Sequence, residues 1–366
     1  MDQLDIFDFL PNGEEYKPIK STDWKWTMAN DYPKEKNGLN VFSCFACGGG
    51  STMGYKLAGC DVIGCCEIDP KMNEVYIKNH HPKHNFLMDI RKFNQLPNEE
   101  LPEELFDLDI LDGSPPCTTF SMAGDREESW GKKKKFREGQ AEQTLDDLSF
   151  VFIETVDKLR PKVVIMENVE GLIKGAAWEY VQKIYTQLHT IGYKVKHWLL
   201  KGQHMGVPQT RHRVFFIAVR NDMNFDFDNL DMSFNYEPIP FGDVKEGIGA
   251  EPSEKVKYLL DLAIPSDKRL ADIIIRQGGK ESRFNEKIVF DGAVSQTLTS
   301  HGFYRGTDKC KFSNEDYINV STFPSDFDYE GSNICYITCM SVPPLMIKRI
   351  VTRLIESGLF DYKLRK

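Results

Sequence analysis

The chain has 366 residues, of which 41% are hydrophobic and 28% charged, a composition typical of a globular protein and not of a disordered or collagen-like one. Its length predicts one large domain with a smaller one, or an elaborated single domain. The formal net charge of -9 excludes a protein that coats nucleic acid through overall positive charge, so any contact with DNA must come from local basic segments.

The predicted elements alternate between apolar strands and helices from residue 38 onward. The predicted strands are Leu39–Phe45, Val62–Cys66, Phe86–Met88, Leu108–Leu111, Pro161–Met166, Tyr193–Leu199 and Val214–Val219. The first predicted helix follows the glycine turn and ends at Ala58. The others span Pro70–Asn79, Leu145–Leu159, Ala176–Thr190 and Pro344–Glu356. This alternation predicts an α/β fold with a doubly wound, mostly parallel sheet, whose ligand site lies beyond the carboxyl ends of the strands.

Composition divides the chain into three parts. Residues 1–37 are an acidic, aromatic-rich extension interrupted by prolines. Residues 38–220 form the α/β domain, which residues 315–366 complete. Residues 221–314 are rich in Asp, Asn, Pro and Gly and predict a smaller, irregular domain.

The N-terminus and the cysteines predict a cytoplasmic protein. Met1 is followed by acidic residues and not by a basic and apolar leader, and no apolar run approaches the roughly 18 residues that cross a membrane. The nine cysteines are scattered, which favours reduced thiols. Cys44 and Cys47 lack a second pair at zinc-site spacing, and His80, His81 and His84 are expected on an exposed helix end and loop, so no metal is expected.

A glycine-rich turn follows the first predicted strand. Its sequence is Phe45-Ala46-Cys47-Gly48-Gly49-Gly50, and glycines allow a ligand to approach the backbone closely. Glu67 ends the next strand and suits a ribose hydroxyl pair, and Asp89 could bind an adenine amino group. The pattern indicates a nucleoside-containing cofactor, without separating a dinucleotide from S-adenosylmethionine, and a plain connecting turn stays open as the alternative.

A cysteine follows two prolines at the end of another strand. In Ser114-Pro115-Pro116-Cys117 the stiff backbone presents a thiol to a cleft, where a positive environment would favour the reactive thiolate. The alternative is a buried structural cysteine. A rigid proline turn favours the exposed, reactive thiol.

Two further motifs carry charge at strand ends. Glu167 follows an apolar strand, so its carboxyl would be partly desolvated and suits a general acid, although a helix cap is an equal alternative. Arg211 and Arg213 alternate along one predicted strand and share a face, which suits a carbonyl oxygen or a phosphate. The alternative for the arginines is a solvated strand edge.

Taken in this order, the glycine turn, Pro116-Cys117, Glu167-Asn168-Val169 and Gln209-x-Arg211-x-Arg213 resemble the C5-cytosine DNA methyltransferases. The resemblance covers residues 38–220 well and 290–356 more loosely. It implies a Rossmann-like methyltransferase fold, S-adenosylmethionine as methyl donor, and a double-stranded DNA substrate from which a cytosine is flipped into the site. Residues 221–314 would then be the target-recognition domain, on a monomer associated with the nucleoid.

The resemblance also implies roles for individual residues. Cys117 would add to C6 of the cytosine, Glu167 would protonate N3, and Arg213 with Arg211 would bind the base carbonyl, supported by Asn168 and Pro116. The implied cofactor residues are Phe45 on the adenine, Glu67 on the ribose and Asp89 on the amino group, together with Ala46, Cys47, Gly48, Gly49, Gly50, Ile68, Ile90, Ser114, Ser341 and Val342. The implied DNA contacts are Ser121, Lys132, Lys133, Lys134, Lys135, Arg137, Gln209, Thr297, Leu298 and Arg305.

The chain departs from the family pattern at several positions. Cys47 stands where the cofactor turn usually has glycine, Asp316 stands where glutamate is usual, and Asn319 replaces a customary arginine. Cys339-Met340 precedes Ser341-Val342 where Gly-Asn is usual. These departures leave the implied catalytic set intact and concern closure of the cofactor pocket and the connection to the recognition domain.

Other functions compete with this interpretation. A tRNA-methylating branch of the same family also carries Pro-Pro-Cys, a nicotinamide-dependent oxidoreductase would use the glycine turn, and a catalytically silent relative would only bind DNA. In the extension, Gln3-Leu4-Asp5-Ile6-Phe7 resembles the short peptide by which bacterial proteins dock on the sliding clamp, with an ordinary tail as the alternative. The sequence indicates neither the DNA site recognised nor a cognate restriction enzyme.

Overall fold

A computed structural model describes residues 18–116, 147–174, 177–280 and 284–364 of the chain. Its centre is a seven-stranded sheet with the order β3-β2-β1-β4-β5-β7-β6. The strands are β1 Asn40–Cys44, β2 Asp61–Glu67, β3 His84–Leu87, β4 Ile110–Gly113, β5 Val163–Val169, β6 Tyr193–Lys201 and β7 His212–Arg220. The predicted doubly wound, mostly parallel α/β sheet is confirmed, and β7 is antiparallel to both of its neighbours.

Helices cover both faces of this sheet. Those of the first half are α1 Met28–Asp31, α2 Gly50–Leu57, α3 Pro70–His80, α4 Ile90–Gln95, α5 Leu148–Leu159 and α6 Trp178–Thr190. Alternate residues of a strand point to opposite faces, so Val163 and Ile165 join one hydrophobic core with α2 and α3, whereas Val164 and Met166 join another with α4, α5 and α6. The apolar run of β5 is thus buried on both sides, as parallel sheets require.

Local signals explain where the helices begin and end. Pro70 occupies the first turn of α3, and the Asp69 side chain accepts hydrogen bonds from the backbone N–H groups of Lys71 and Met72. The helix ends at His80, and the next residue, His81, adopts a left-handed conformation with a φ of 47°. The predicted helix from Pro70 to Asn79 is therefore confirmed to within one residue.

The second half of the chain is more regular than its composition suggests. Its helices are α7 Phe241–Val244, α8 Glu254–Leu262, α9 Leu270–Arg276, α10 Asn314–Val320, α11 Ile334–Met340, α12 Pro344–Glu356 and α13 Asp361–Leu364. A three-stranded sheet adds β8 Lys287–Val289, β9 Phe303–Arg305 and β10 Cys310–Lys311. A small separate core forms between α8, α9 and this sheet, so the expectation of an irregular segment underestimated its structure.

One apolar stretch, residues 334–356, is long enough by composition to cross a membrane, contrary to the expectation from the sequence. It consists of two helices, α11 and α12, separated at Pro343, and 78% of its most apolar window is buried inside the protein. Helix α12 packs against α2 on the main sheet. The stretch therefore serves as packed core.

The described part of the N-terminal extension packs against the rest of the chain. Trp26 is buried, and its indole Nε1 donates a hydrogen bond to the carbonyl of Thr322 at 2.8 Å. Asp23 forms ion pairs with Lys348 at 3.1 Å and Arg349 at 2.7 Å on α12. Residues 18–37 thus fasten α12 and the segment around residue 322.

We predict that Trp26→Ala lowers the free energy of unfolding by about 3 kcal/mol or more, because it removes a large buried side chain and leaves a buried carbonyl without its donor. Urea denaturation measures the loss. Trp178→Ala is the matched control, since Trp178 is 46% exposed and should cost less than about 1 kcal/mol. Equal losses for the two variants would contradict the assignment of Trp26 to the core.

Candidate active site

A cleft opens where β1, β2, β3 and β4 end, as a doubly wound sheet predicts. Its walls come from the turns after these strands, from α5 and from α11. The lining residues are Phe45, Cys47, Cys66, Glu67, Ile68, Asp69, Met72, Met88, Asp89, Ile90, Leu148, Ser114, Pro116, Tyr336 and Met340. The structure therefore brings seven of the predicted cofactor residues, and Pro116 of the predicted catalytic set, to one cleft.

Glu67 organises one wall of this cleft. One carboxylate oxygen accepts a hydrogen bond from the Cys47 N–H at 2.7 Å, and the other accepts from the N–H groups of Ile68 and Asp69, both at 2.8 Å. Burial raises the pKa of the Glu67 carboxyl, and these three donors oppose the rise. Glu67 thus fixes the glycine turn after β1 to the turn after β2, while its carboxylate lines the cleft.

The glycines of the turn are needed for packing inside the protein. A side chain on Gly48 would collide with Ile337, one on Gly49 with the ring of His80, and one on Gly50 with the carbonyl of Val342. The cleft-facing residues are Phe45 and Cys47, both with positive φ, at 57° and 46°. Protein atoms therefore fill the space where side chains on these glycines would lie, and close approach of a ligand to their backbone stays a prediction.

The remaining predicted cofactor residues support the turn or cap the cleft. Ala46 packs against Cys65 and Tyr76, and Ser341 and Val342 are buried next to Gly50. The Asp89 side chain caps α4 by accepting a hydrogen bond from the N–H of Arg91 at 2.8 Å. Asp89 and Ile90 both line the cleft. Ala46, Ser341 and Val342 do not line the cleft.

His80 lies in the interior, and the sequence-based expectation of an exposed histidine is wrong. It is 5% exposed, and its Nε2 lies 3.1 Å from the carbonyl of Gly48. Burial lowers the pKa of His80 to about 3, and the positive charge of Lys56 adds to this effect. The imidazole is therefore neutral near pH 7.

Asp112, on β4, is a buried carboxyl that the sequence analysis did not single out. It accepts hydrogen bonds from the Ser43 hydroxyl at 2.8 Å and the Tyr55 hydroxyl at 3.1 Å. Burial raises the pKa of Asp112 to about 7, an effect that these hydroxyls oppose and the charge of Glu167 reinforces. Its position as the one charged residue of the otherwise apolar strand Ile110–Gly113 was the sequence signal that could have indicated a buried carboxyl.

One side of the cleft lies at the end of β4, where Ser114 and Pro116 line it. Cys117, the predicted nucleophile, lies outside the described residues, which end here at Pro116. Asn168 is buried, and its side-chain amide donates to the carbonyl of Pro115 at 3.3 Å. This hydrogen bond joins the end of β5 to the proline turn that immediately precedes Cys117.

Glu167 and Arg213 meet at the ends of β5 and β7. The Arg213 Nε lies 2.7 Å from a Glu167 carboxylate oxygen, and both side chains are largely buried, with 14% and 11% exposed. The antiparallel register pairs Val169 with Arg213 and Glu167 with Phe215, so the two charged residues are diagonal neighbours across the strands. The predicted acid and one predicted arginine are therefore in direct contact.

Arg211 takes a different position from Arg213. It is 2% exposed, and both terminal nitrogens donate to the carbonyl of Cys339, at 3.1 and 3.2 Å. Burial lowers the pKa of Arg211 to about 9, with a further contribution from the charge of Arg213. Arg211 thus holds the end of α11, which carries the cleft residues Tyr336 and Met340.

Three of the predicted DNA contacts are buried in the structure. Gln209 is fully buried between the carbonyl of Val320 and the N–H of Leu298, and Leu298 is itself 2% exposed. Arg305 forms a buried ion pair with Asp316 at 2.7 Å. In this structure the three side chains are enclosed and the polar groups of Gln209 and Arg305 are paired, so their contact with DNA stays a prediction.

The other predicted DNA contacts stay untested. Thr297 is half-buried, and its hydroxyl donates to the carbonyl of Thr210 at 2.8 Å. Ser121, Lys132, Lys133, Lys134, Lys135 and Arg137 lie outside the described residues. The cleft residues that sequence reasoning missed include Met72, Met88, Leu148, Tyr336 and Met340. They are apolar side chains without a motif, so only the fold could reveal them.

The chain is similar in sequence and in fold to known proteins. Residues 39–356 match the family model for C-5 cytosine-specific DNA methylases. The chain is 26% identical over 356 residues to the type II methyltransferase M.Sau96I of Staphylococcus aureus, covering 88% of this chain and 78% of that enzyme. It is 26% identical over 334 residues to M.NgoFVII of Neisseria gonorrhoeae, covering 81% and 80%. With M.NgoPII the identity is 29%, and the match spans about half of that enzyme, 53%.

Solved structures show the same fold. A prophage-encoded Escherichia coli protein assigned as a DNA modification methyltransferase superposes with a TM-score of 0.64 at 17% identity, covering 87% of this chain and 99% of that one. DNMT2 of Spodoptera frugiperda superposes with a TM-score of 0.61 at 15% identity, covering 87% and 100%. At such identities the likeness concerns the fold.

We predict that Asp112→Asn changes how stability depends on pH. The folded pKa of about 7 exceeds the unfolded value, so the neutral carboxyl stabilises the fold below about pH 4, and this contribution is lost as the pH rises through 7. Between pH 5 and pH 8 the wild type should lose about 3 kcal/mol through this group, and the variant should not.

Chemical denaturation at the two pH values measures the difference. His80 acts in the opposite direction, since its lowered pKa costs stability as the pH falls below about 6.5, so the comparison must be made between variant and wild type. The exposed Asp107→Asn serves as control. Identical pH dependence in wild type and Asp112→Asn would contradict the prediction.

Proposed function

The chain belongs to the C-5 cytosine-specific DNA methylase family and methylates cytosine in DNA at C5 with S-adenosylmethionine as methyl donor; on that premise, we propose which residues carry the reaction and which partners it serves. The observation that carries the proposal is the contact between Glu167 and Arg213 beside the cleft, at the level of the proline turn before Cys117.

The residues of the cleft fit the methyl donor. Phe45 offers an aromatic face for an adenine, with Ile68, Met88 and Leu148 as apolar walls. Glu67 presents a buried carboxylate to a ribose, and Asp89 lies on the same wall for the amino group. When bound there, S-adenosylmethionine supplies an electrophilic methyl group for the base.

Cys117 is the proposed nucleophile. Its thiolate would form a bond to C6 of a flipped-out cytosine, and the electrons of the C5–C6 double bond would make C5 nucleophilic. Asn168 would hold the preceding turn through its hydrogen bond to Pro115. After methylation, water would take the C5 proton, the N3 proton would return to Glu167, and elimination of the thiolate would restore the aromatic ring and the free cysteine.

Glu167 and Arg213 would handle the charge that develops on the base. Glu167 would donate a proton to N3 as the thiolate adds, and Arg213 would bind the carbonyl oxygen O2. Before a base enters, the two groups are paired with each other, so the Glu167 carboxylate would take up from solvent the proton that it passes to N3. Arg211 supports the site indirectly, because its guanidinium is occupied by the carbonyl of Cys339.

The substrate is proposed to be a specific sequence in duplex DNA, read by residues 221–314 as a recognition domain. The sequence relatives named above are type II methyltransferases, which favours DNA over tRNA. A nicotinamide oxidoreductase would leave the Glu167–Arg213 pair without a role. We further propose that the protein acts as a monomer in the cytoplasm, at the nucleoid, without a membrane contact.

The N-terminal residues Gln3–Phe7, which lie outside the described residues, are proposed to dock on a bacterial sliding clamp. Leu4 and Phe7 would enter apolar pockets of the clamp. Residues 18–37 are fastened to the fold, so such a peptide would project from a fixed point.

We predict that Cys117→Ala lowers methyl transfer to DNA at least a thousandfold, roughly the loss expected when a covalent nucleophile is removed, while S-adenosylmethionine binding is retained. Transfer of labelled methyl groups and calorimetry measure the two quantities. Cys310→Ala, which removes a half-buried thiol of the small sheet, is the matched control and should keep activity. Undiminished activity of Cys117→Ala would remove the nucleophile assignment.

We predict that the wild-type protein is retained on immobilised bacterial sliding clamp and that Leu4→Ala and Phe7→Ala reduce retention about tenfold each, because each loses a buried apolar anchor. Ile6→Ala is a neighbouring control. If the Leu4 and Phe7 variants bind as well as the wild type, the docking peptide is refuted.

A further inference from the structure

His80, at the C-terminal end of α3, is a buried group that the proposed chemistry does not use. Its Nε2 lies 3.1 Å from the carbonyl of Gly48, a residue 32 positions earlier in the chain. Gly48 belongs to the turn whose Phe45 and Cys47 line the cofactor cleft. The histidine therefore touches the back of the surface that faces the cofactor.

The ring of His80 also fills the space beside Gly49. Gly49 has a φ of 86°, and any side chain on it would overlap the imidazole. Tyr76, one turn earlier on α3, meets the imidazole edge-on with ring centroids 4.6 Å apart. The Tyr76 hydroxyl is 2.8 Å from the Thr52 hydroxyl of α2. The imidazole of His80 therefore contacts Tyr76 on one side and the backbone of the glycine turn at Gly49 on the other.

Helix α3 connects this contact to the ribose-binding end of the cleft. At its N-terminal end the N–H groups of Ile68 and Asp69 bind the carboxylate of Glu67. At its C-terminal end His80 binds Gly48. An eleven-residue helix is a stiff rod about 16 Å long, so it fixes the distance between these two contacts.

The tautomer of His80 follows from its surroundings. A carbonyl oxygen only accepts, so Nε2 carries the proton and donates to Gly48. Nδ1 is buried and has no hydrogen-bond partner among the described residues. The neutral ring thus makes a single directed hydrogen bond, and that bond is to the cofactor turn.

We propose that His80 is a positioning residue for the cofactor. Through its Nε2 donor to Gly48 and its contact with Gly49, it fixes the position of the glycine turn relative to the cleft, and this position determines the affinity for S-adenosylmethionine. The inference rests on the proposed use of the cleft for that ligand. His80 does not line the cleft, so it acts on binding and leaves methyl transfer by a saturated enzyme unchanged.

Two amide substitutions test the donor. The Gln amide nitrogen reaches approximately the place of Nε2, whereas the Asn amide nitrogen reaches approximately that of Nδ1. His80→Gln should therefore bind S-adenosylmethionine within about twofold of the wild type, and His80→Asn about tenfold more weakly, the size expected for one lost hydrogen bond. His80→Phe, which keeps the ring volume without a donor and should fold, is expected to match His80→Asn.

Calorimetric titration of the full-length protein with S-adenosylmethionine gives the dissociation constants, and steady-state assays on DNA give KM and kcat. KM for the cofactor should rise about tenfold in the Asn and Phe variants, with kcat within about twofold. His81→Asn is the matched control, since His81 is exposed, ends the same helix and has a left-handed conformation that Asn tolerates.

Equal affinity of the wild type and the His80→Phe variant would overturn the proposal, as would a His80→Gln variant as weak as His80→Phe. A fall in kcat at saturating cofactor, with unchanged affinity, would also overturn it. A wild-type protein that does not bind S-adenosylmethionine would instead refute the proposed function on which the inference rests.

Discussion

The antiparallel pairing of β5 with β7 is the constraint on which the site depends. Its register places Arg213 diagonally opposite Glu167, and the ion pair of 2.7 Å forms at the edge of the sheet where β1, β2 and β4 also end. A shift of one residue would turn every side chain of β7 to the other face and separate the pair. The apolar residues Phe215 and Ile217 stabilise the register, because they must reach the core shared with α2 and α12.

The cofactor cleft is stabilised from behind by contacts within the protein. Glu67 receives three backbone N–H groups, His80 binds the carbonyl of Gly48, and Arg211 binds the carbonyl of Cys339. The contacts of Glu67 with Cys47, of His80 with Gly48 and of Arg211 with Cys339 join residues 20, 32 and 128 positions apart in the chain. The cleft surface can therefore present few polar groups and still keep a defined shape.

Much of this arrangement could be predicted from the sequence, and the reason is periodicity. Strand ends follow from apolar runs, so Glu67 and Glu167 could be placed at one edge of the sheet before any coordinates. Burial by distant partners could not: Arg305 pairs with Asp316, Gln209 binds the carbonyl of Val320, and His80 lies under the glycine turn. These contacts depend on tertiary packing, which neither local composition nor spacing encodes.

In the proposed mechanism, Cys117 attacks C6 of a flipped-out cytosine. The most direct measurement uses duplex DNA in which cytosine is replaced by 5-fluorocytosine, since the fluorine cannot leave as a cation and the covalent adduct should persist. After incubation with S-adenosylmethionine, mass spectrometry of the digested protein should find the nucleotide on the peptide that contains Cys117. Attachment to another residue, or no attachment while ordinary DNA is methylated under the same conditions, would contradict the account.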